Sequence, residues 1–381
     1  MPDLAMREDL LERARSLTPL LRASADEIDE ARQLPPHIVQ AMKASGIFRM
    51  SMPAAWGGWE ADPITQNLVI EEIAAANGSA GWCLMIGLSG GFLTGLLDQD
   101  VGREMYPDAD MLSANAFATP GKARPIEGGF IVNGRWQFAS GITHADWVQA
   151  TVLIVDESGQ PVQDHHGRPQ QRLVFVPRHQ VEVIDTWFTT GLKGTGSRDF
   201  AFNDLFVPAE RVVDHVRGPW KREGPLYRSF VPILLNHFGP PLGIARRAQE
   251  AFVEAMRDKP GKFGVEPKDD ASLQAPLARA TAMIAAARAY AFDVLERVWA
   301  GIEAGNTHTS VKWELANAYV HDSCAEAIQI LQHAAGSKAV YLPSDIDRCF
   351  RDIHTARQHG IVRPRVYVEA GKAMLAAKPV D

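Results

Sequence analysis

Lys193, Thr195, Ser197 and Arg198 stand among Gly191, Gly194 and Gly196 in the stretch WFTTGLKGTGSRDFAF, residues 187–202. Short hydroxyls on a glycine-bearing turn let main-chain and side-chain donors come close to a flat polar ligand. The alternating apolar residues that follow predict a strand behind the turn. A second turn of this kind, FASGITHADW at 138–147, holds Ser140 and His144. Hydrolytic and nucleotide signatures are missing: there is no GxSxG, HExxH or Walker loop, and no GxGxxG after a strand. GTGSRD is too short for a dinucleotide fingerprint and precedes its strand. His165 and His166 adjoin in a Gly/Pro loop without further ligands, so no metal site is expected. Cys83, Cys324 and Cys349 are far apart, odd in number and form no CxxC, which argues against a disulfide framework and fits a reducing cytoplasm.

The surrounding chain must position these turns. From residue 7 to about 105 the apolar spacing is helical (Leu10, Leu11, Ala14, Leu17, Leu20, Leu21), and in PPHIVQAMKASGIFRM two prolines precede a helix that Gly46 ends. Residues 64–106 predict two more helices, the second, GSAGWCLMIGLSGGFLTGLL, apolar all round and therefore buried. Glu71 and Glu72 read as helix-surface charges. Between about 110 and 215 the period changes to two, with an Asn-Gly hairpin signal in GGFIVNGRWQFASG and strands in WVQATVLIV, RLVFVP and DFAFNDLFVP. From about 226 long alanine-rich helical segments return and predict an antiparallel bundle. The expected fold is α+β and mostly α: a helical domain at 1–108, a central β-barrel or sandwich domain at 109–218, and a C-terminal four-helix bundle at 219–381.

With 381 residues, 46% hydrophobic and 22% charged, the chain has material for a large core. A net charge of −7 and no basic run interleaved with aromatics speak against nucleic acid and an anionic membrane surface as partners. MPDLAMREDLLERARSL lacks the basic start and apolar block of an export signal. Nothing reaches about 18 consecutive apolar residues, so no membrane span is expected.

PAAWGGWEADP, EEIAAANGSAGW, NGRWQFASG, GLKGTGSRDFAFNDLFVPAERV and RDIHTARQHG, in this order and on this layout, make the chain resemble the acyl-CoA dehydrogenase superfamily over essentially its whole length. The resemblance implies a flavin held between β domain and bundle, and a homotetramer. A dehydrogenase of this family needs a glutamate base, either shortly after the RD element or in the helix before a GPLG-like turn. Here the first place reads RDIHTARQHGIVRPRVYV, with His359 and Gly360 where the glutamate would fall. The second, YRSFVPILLNHFGPPLGIARR, holds no acid from Tyr227 to Arg247.

These departures resemble the two-component, reduced-flavin-dependent monooxygenase branch. That resemblance implies reduced FAD or FMN delivered by a separate flavin reductase, reaction with O2 through a C4a-hydroperoxide, and hydroxylation or epoxidation of a small aromatic or heteroaromatic substrate. An indole-like substrate is favoured over a phenolic one, because Ser89 and Gly90 stand where several phenol hydroxylases carry a histidine. His359 and Ser140 become the catalytic candidates, His359 on an alanine-rich helix as proton acceptor or hydroperoxide stabiliser. Phe138, Ser140, Lys193, Thr195, Gly196 and Ser197 are implied to contact the flavin, as are Lys262 and Phe263 of GKFG and Gln332 and Gly336 of QHAAG. Trp82, Ser89, Phe92, His237 and Phe238 are expected to line the substrate pocket. The rival readings are an acyl-thioester-oxidising flavoenzyme with an unrecognised base and a non-catalytic relative of the fold.

Overall fold

The computed structural model describes residues 3–257, 265–306 and 312–376, with the side chains of 118–120 excepted. The N-terminal third is helical: α1 (Leu4–Ala23), α2 (Ala25–Ala31), α3 (Pro36–Ala44), α4 (Pro63–Ala76), α5 (Gly78–Gly87), α6 (Ser89–Leu93) and α7 (Gln99–Met105). Local chemistry sets the boundaries. Asp62 caps α4 by accepting from the Thr65 N–H, with Pro63 in the first turn. Asn77 ends α4 and caps α5 through the Ala80 N–H. Gly46, at φ +75°, ends the turn after α3 as its sequence predicts.

The central third forms one seven-stranded mixed sheet from β1 (Ser113–Ile126), β2 (Gly129–Ala139), β3 (Trp147–Ile154), β4 (Gln171–Pro177), β5 (Glu182–Ile184), β6 (Arg198–Pro208) and β7 (Val212–Val213), in the order β5-β6-β2-β1-β3-β4-β7. Its core is separate from the helical one and centres on Trp136, which stacks on Phe200 with ring centroids 5.2 Å apart. The last third comprises α8 (Val231–Leu235), α9 (Gly239–Arg257), α10 (Ala271–Glu303), α11 (Trp313–Ala335), α12 (Asp345–Ala356) and α13 (Arg365–Ala376). Helices α9 to α12 join α1, α4 and α5 in one core.

Three expectations are corrected. Asn133-Gly134 makes no hairpin, because β2 runs straight through it. The turn lies at Glu127-Gly128, and the Asn-Gly pair marks a register shift against β6, where Asn133 and Asp204 exchange hydrogen bonds. The long apolar helix after residue 78 breaks at Leu88 into α5 and α6, where Ser51 fills the space beside Gly91. Gly78–Leu96 also has the length and hydropathy of a membrane span, yet 94% of that window is buried inside the protein, which makes it a core element. Glu71 is no surface charge: α9 and α10 cover it, it is 4% exposed, and both its oxygens accept from Arg288 Nε at 3.0 and 3.1 Å.

Candidate active site between the sheet and the bundle

The loop from Trp187 to Ser197 is shaped by close approach. A Cβ on Gly191 would lie 2.1 Å from the Arg351 carbonyl oxygen, so only glycine lets this strand of chain rest on α12. The next residue, Leu192, sits at φ +49° and donates its N–H to Asp352 Oδ1 at 2.6 Å. Its carbonyl accepts from Trp187 Nε1 (3.1 Å) and from Thr195 Oγ1 (2.8 Å). Gly196, at φ +53°, then turns the chain into β6.

Burial in this contact pushes the Asp352 carboxyl up to about 7. In the unfolded chain it ionises near 3.9. Between those values only the folded state keeps the proton, so the stabilisation is complete below about pH 3.9 and is lost as pH rises through about 7, on the order of 4 kcal/mol. Thermal unfolding followed from pH 4 to pH 8 is expected to show Tm falling with pH. Asp352→Asn, which keeps an acceptor for the Leu192 N–H, is expected to flatten that fall. Equal slopes for both proteins would refute the assignment.

From this loop a file of hydroxyls leads into the interior. Thr195 Oγ1 and Ser197 Oγ are 2.6 Å apart, Ser197 Oγ and Ser140 Oγ 2.7 Å, and Trp82 Nε1 donates to Ser140 Oγ at 3.1 Å. Ser140 is aimed by a bulge: the pairing of β2 with β6 shifts between Trp136 and Ala139, and Phe138 stands at φ +65° with 65% of its surface exposed. An inward serine beside an outward phenyl results.

The indole of Trp82 meets two imidazoles edge-on, His359 at 5.7 Å and His237 at 5.9 Å, and those two stack on each other at 4.7 Å. His359 does not lie on a helix as expected: α12 ends at Ala356, and His359 caps the short turn Gly360–Val362. Its Nδ1 accepts from the Ile361 N–H at 3.4 Å, which places the neutral ring's proton on Nε2. Crowding and the Arg363 charge pull its pKa down to about 4. More than a third of its surface remains open to solvent, which damps the shift without reversing it. His237 is held by amides. Asn236 Nδ2 donates to Gln66 Oε1 (2.7 Å), Asn67 Nδ2 donates to the Leu235 carbonyl (3.2 Å), and the Gly239 N–H donates to Asn67 Oδ1 (2.9 Å). These pin the break between α8 and α9, a fixing that no local pattern in the sequence announces.

Behind the rings lie buried polar atoms with no protein partner: His237 Nδ1, His321 Nε2 and both amide atoms of Asn317. His321 donates Nδ1–H to the Asn317 carbonyl at 2.9 Å, so its Nε2 is a bare acceptor, and burial holds its pKa at about 4. His321 and Asn317 were not singled out from sequence. A buried histidine four residues from an asparagine on a helix predicted from position 310 onward was the available signal.

The other sequence candidates fall in several places. Lys193 is half-buried in the loop, and among the described residues its side chain has no hydrogen bond or ion pair. Ser89 and Phe92 are buried in α6, Ser89 accepting from Asn115 Nδ2, and no ring contact joins Phe92 to Trp82. Phe238 is fully buried beside His237. Gln332 and Gly336 lie at the far end of α11, with Gln332 eleven residues and about 16 Å along the axis from His321. They are not gathered with Ser140 within one chain. Lys262 and Phe263 lie outside the described residues. Among the described residues no carboxylate hydrogen-bonds or ion-pairs with Ser140, His237 or His359.

A buried hydroxyl and two imidazoles beside an indole and an exposed phenyl suit a flat, neutral heteroaromatic ring, and a flavin fits that set. Residues 8–99 match the family model described as acyl-CoA dehydrogenase, N-terminal domain, and residues 235–364 the one for its C-terminal domain. This chain belongs to the acyl-CoA dehydrogenase family. An indole-3-acetate monooxygenase of Pseudomonas putida is 30% identical over 94% of this chain and 92% of its own. The flavin-dependent monooxygenase oxygenase subunit HsaA of Rhodococcus jostii is also 30% identical, over 95% and 97%. The crystal structure of 3-HSA hydroxylase from Rhodococcus sp. RHA1 superposes with a TM-score of 0.89 at 27% identity, covering 98% of each chain. Within the family, this protein stands with the flavin-dependent monooxygenases, and the expected mostly helical architecture with a central sheet is the one observed.

Proposed function

We propose that this chain is the oxygenase component of a two-component system, taking reduced FMN or FAD from a separate reductase and inserting one atom of O2 into a planar aromatic substrate, indole-like or phenolic. Reduced flavin, when bound, supplies the two electrons with which O2 is divided between the inserted atom and water. The observation that carries this reading is the triangle of Trp82, His237 and His359 at the inner end of the hydroxyl file, with no carboxylate partner among the described residues.

His359 offers a proton at Nε2 towards the reacting oxygen, and its low pKa keeps it neutral near pH 7. Trp82 and the buried side of His237 keep water from that point. The unpartnered atoms of His237, Asn317 and His321 favour a substrate bearing a polar group, since an unpaired buried polar atom costs about 1–3 kcal/mol. The exposed run Val340, Tyr341 and Leu342 supports assembly into a homotetramer, and the three free cysteines support a cytoplasmic setting.

The test is to mix the protein with anaerobically reduced FMN or FAD and indole or phenol, then admit labelled O2. Product carrying one labelled oxygen is expected. Hydrogen peroxide as the sole outcome with every aromatic compound, together with oxidation of an acyl thioester, would overturn the reading.

A further inference from the structure

Four buried polar atoms behind the ring triangle ask for partners that the described residues do not supply. On α11, Asn317 and His321 stand about one turn apart, with exposures of 0% and 1%, and Asn317 Oδ1, Asn317 Nδ2 and His321 Nε2 all lack a hydrogen bond. His237 Nδ1 is the fourth. These atoms belong together: α11 packs against the turn Asn236–Phe238 that carries His237, and against Gly360–Val362, which His359 caps. Native interiors pair nearly all such atoms, so four in one place mark where a ligand group or fixed water completes the structure.

The demand is specific. His321 gives its Nδ1 proton to the Asn317 carbonyl at 2.9 Å, so its Nε2 only accepts. Asn317 Oδ1 also needs a donor, while Asn317 Nδ2 offers protons to an acceptor, and turning the amide over leaves this set the same. Two donors and one acceptor on one small group are what a primary carboxamide carries. A carboxylate carries acceptors only and would meet Nε2 and Oδ1 lone pair to lone pair. Its charge would also go unanswered. Burial, and after it the charges of His359 and His321, hold His237 well below the ordinary imidazole value, and burial holds His321 at about 4, so near pH 7 neither ring brings a positive charge. Arg357, whose charge bears on His321, is already paired with Asp322 at 2.6 Å.

We propose that Asn317, His321 and His237 form a neutral polar floor that takes the uncharged amide end of the substrate, so that the site accepts an aromatic carboxamide in preference to the matching acid. The inference rests on the oxygenase reading above and names a substrate class for it. Dissociation constants for indole-3-acetamide and indole-3-acetate are measured by calorimetry at pH 7 on wild type, Asn317→Leu, His321→Leu and Arg363→Ala. Oxygenated product from each compound, and from indole, is measured with reduced flavin and O2. Wild type is expected to bind the amide about 100-fold more tightly, because the acid leaves two buried acceptors unpaired. Asn317→Leu, of similar volume, should cut that ratio by about tenfold. His321→Leu should also cut it and gives a second reading if the first variant fails to fold. Arg363→Ala, which removes the exposed cation beside His359, should keep the ratio. Equal binding of amide and acid, or a preference for the acid that Arg363→Ala abolishes, would overturn the inference. So would the wild-type ratio in both folded leucine variants, the result expected if fixed water alone fills the floor. Oxygenation of indole without any preference for the amide would overturn this inference and leave the oxygenase reading standing. Selective amide binding with no oxygenated product from any aromatic compound would do the reverse.

Discussion

Replacing His359 with alanine is expected to lower product formed per reduced flavin consumed by about 100-fold, with the missing oxygen recovered as hydrogen peroxide and reduced-flavin affinity little changed. The expectation follows from where the proton sits. With Nδ1 engaged by the Ile361 N–H, the ring presents Nε2–H, and its face and edge are fixed by His237 at 4.7 Å and Trp82 at 5.7 Å. Alanine removes that donor and opens space for water beside the reacting oxygen. His359→Gln, which restores an N–H of similar reach, should recover part of the product yield. Because its pKa lies below the ordinary value, the imidazole is neutral at pH 7 and above, and the contribution of His359 should be flat between pH 7 and pH 9. Full coupling in the alanine variant, or a strong dependence of coupling on pH in that window traced to His359, would refute this role.

Gly191→Ala is expected to destabilise the protein by about 3 kcal/mol and to weaken flavin binding at the same time. The added Cβ would lie 2.1 Å from the Arg351 carbonyl oxygen and 2.6 Å from the Asp352 nitrogen. Both are main-chain atoms of α12, so the strain cannot be relieved by turning a side chain aside. The loop must lift, and the Leu192 N–H then leaves Asp352 while the Leu192 carbonyl leaves Thr195. Gly360, next to His359, is the control, since a Cβ there meets nothing within 4 Å. Gly360→Ala should stay within about 0.5 kcal/mol of wild type. Thermal unfolding and flavin titration of the two variants decide the matter: similar stability for both would show that the loop does not need its contact with α12.

The large divisions were legible in the chain because they are periodic. The helix after Pro36 and its stop at Gly46, the long segments that became α10 and α11, and the strand after Arg198 each follow a local repeat or a turn residue. The site was legible only as residue types. Ser140, His359 and Trp82 stand out in their motifs, but the file that joins Trp82, Ser140, Ser197 and Thr195 spans residues up to 115 positions apart and leaves no local signature. The amides Gln66, Asn67 and Asn236 that hold His237 are likewise spread over two helical segments. Asn133-Gly134 misled because a hairpin signal is also what a bulged, continuous strand can use. Glu71 misled because the helices covering it come from more than 170 residues downstream.

The bond between Leu192 and Asp352 joins residues 160 positions apart, and it fixes an order of events during synthesis. The sheet can pair its strands once residue 213 has been made, since every partner lies between 113 and 213. The loop that carries Thr195 and Ser197 cannot take its final form until α12 has been translated and docked. A nascent chain therefore passes through a stage with a formed sheet and an unformed loop at 187–197. Closure of that loop comes last, as a report that synthesis has passed Asp352.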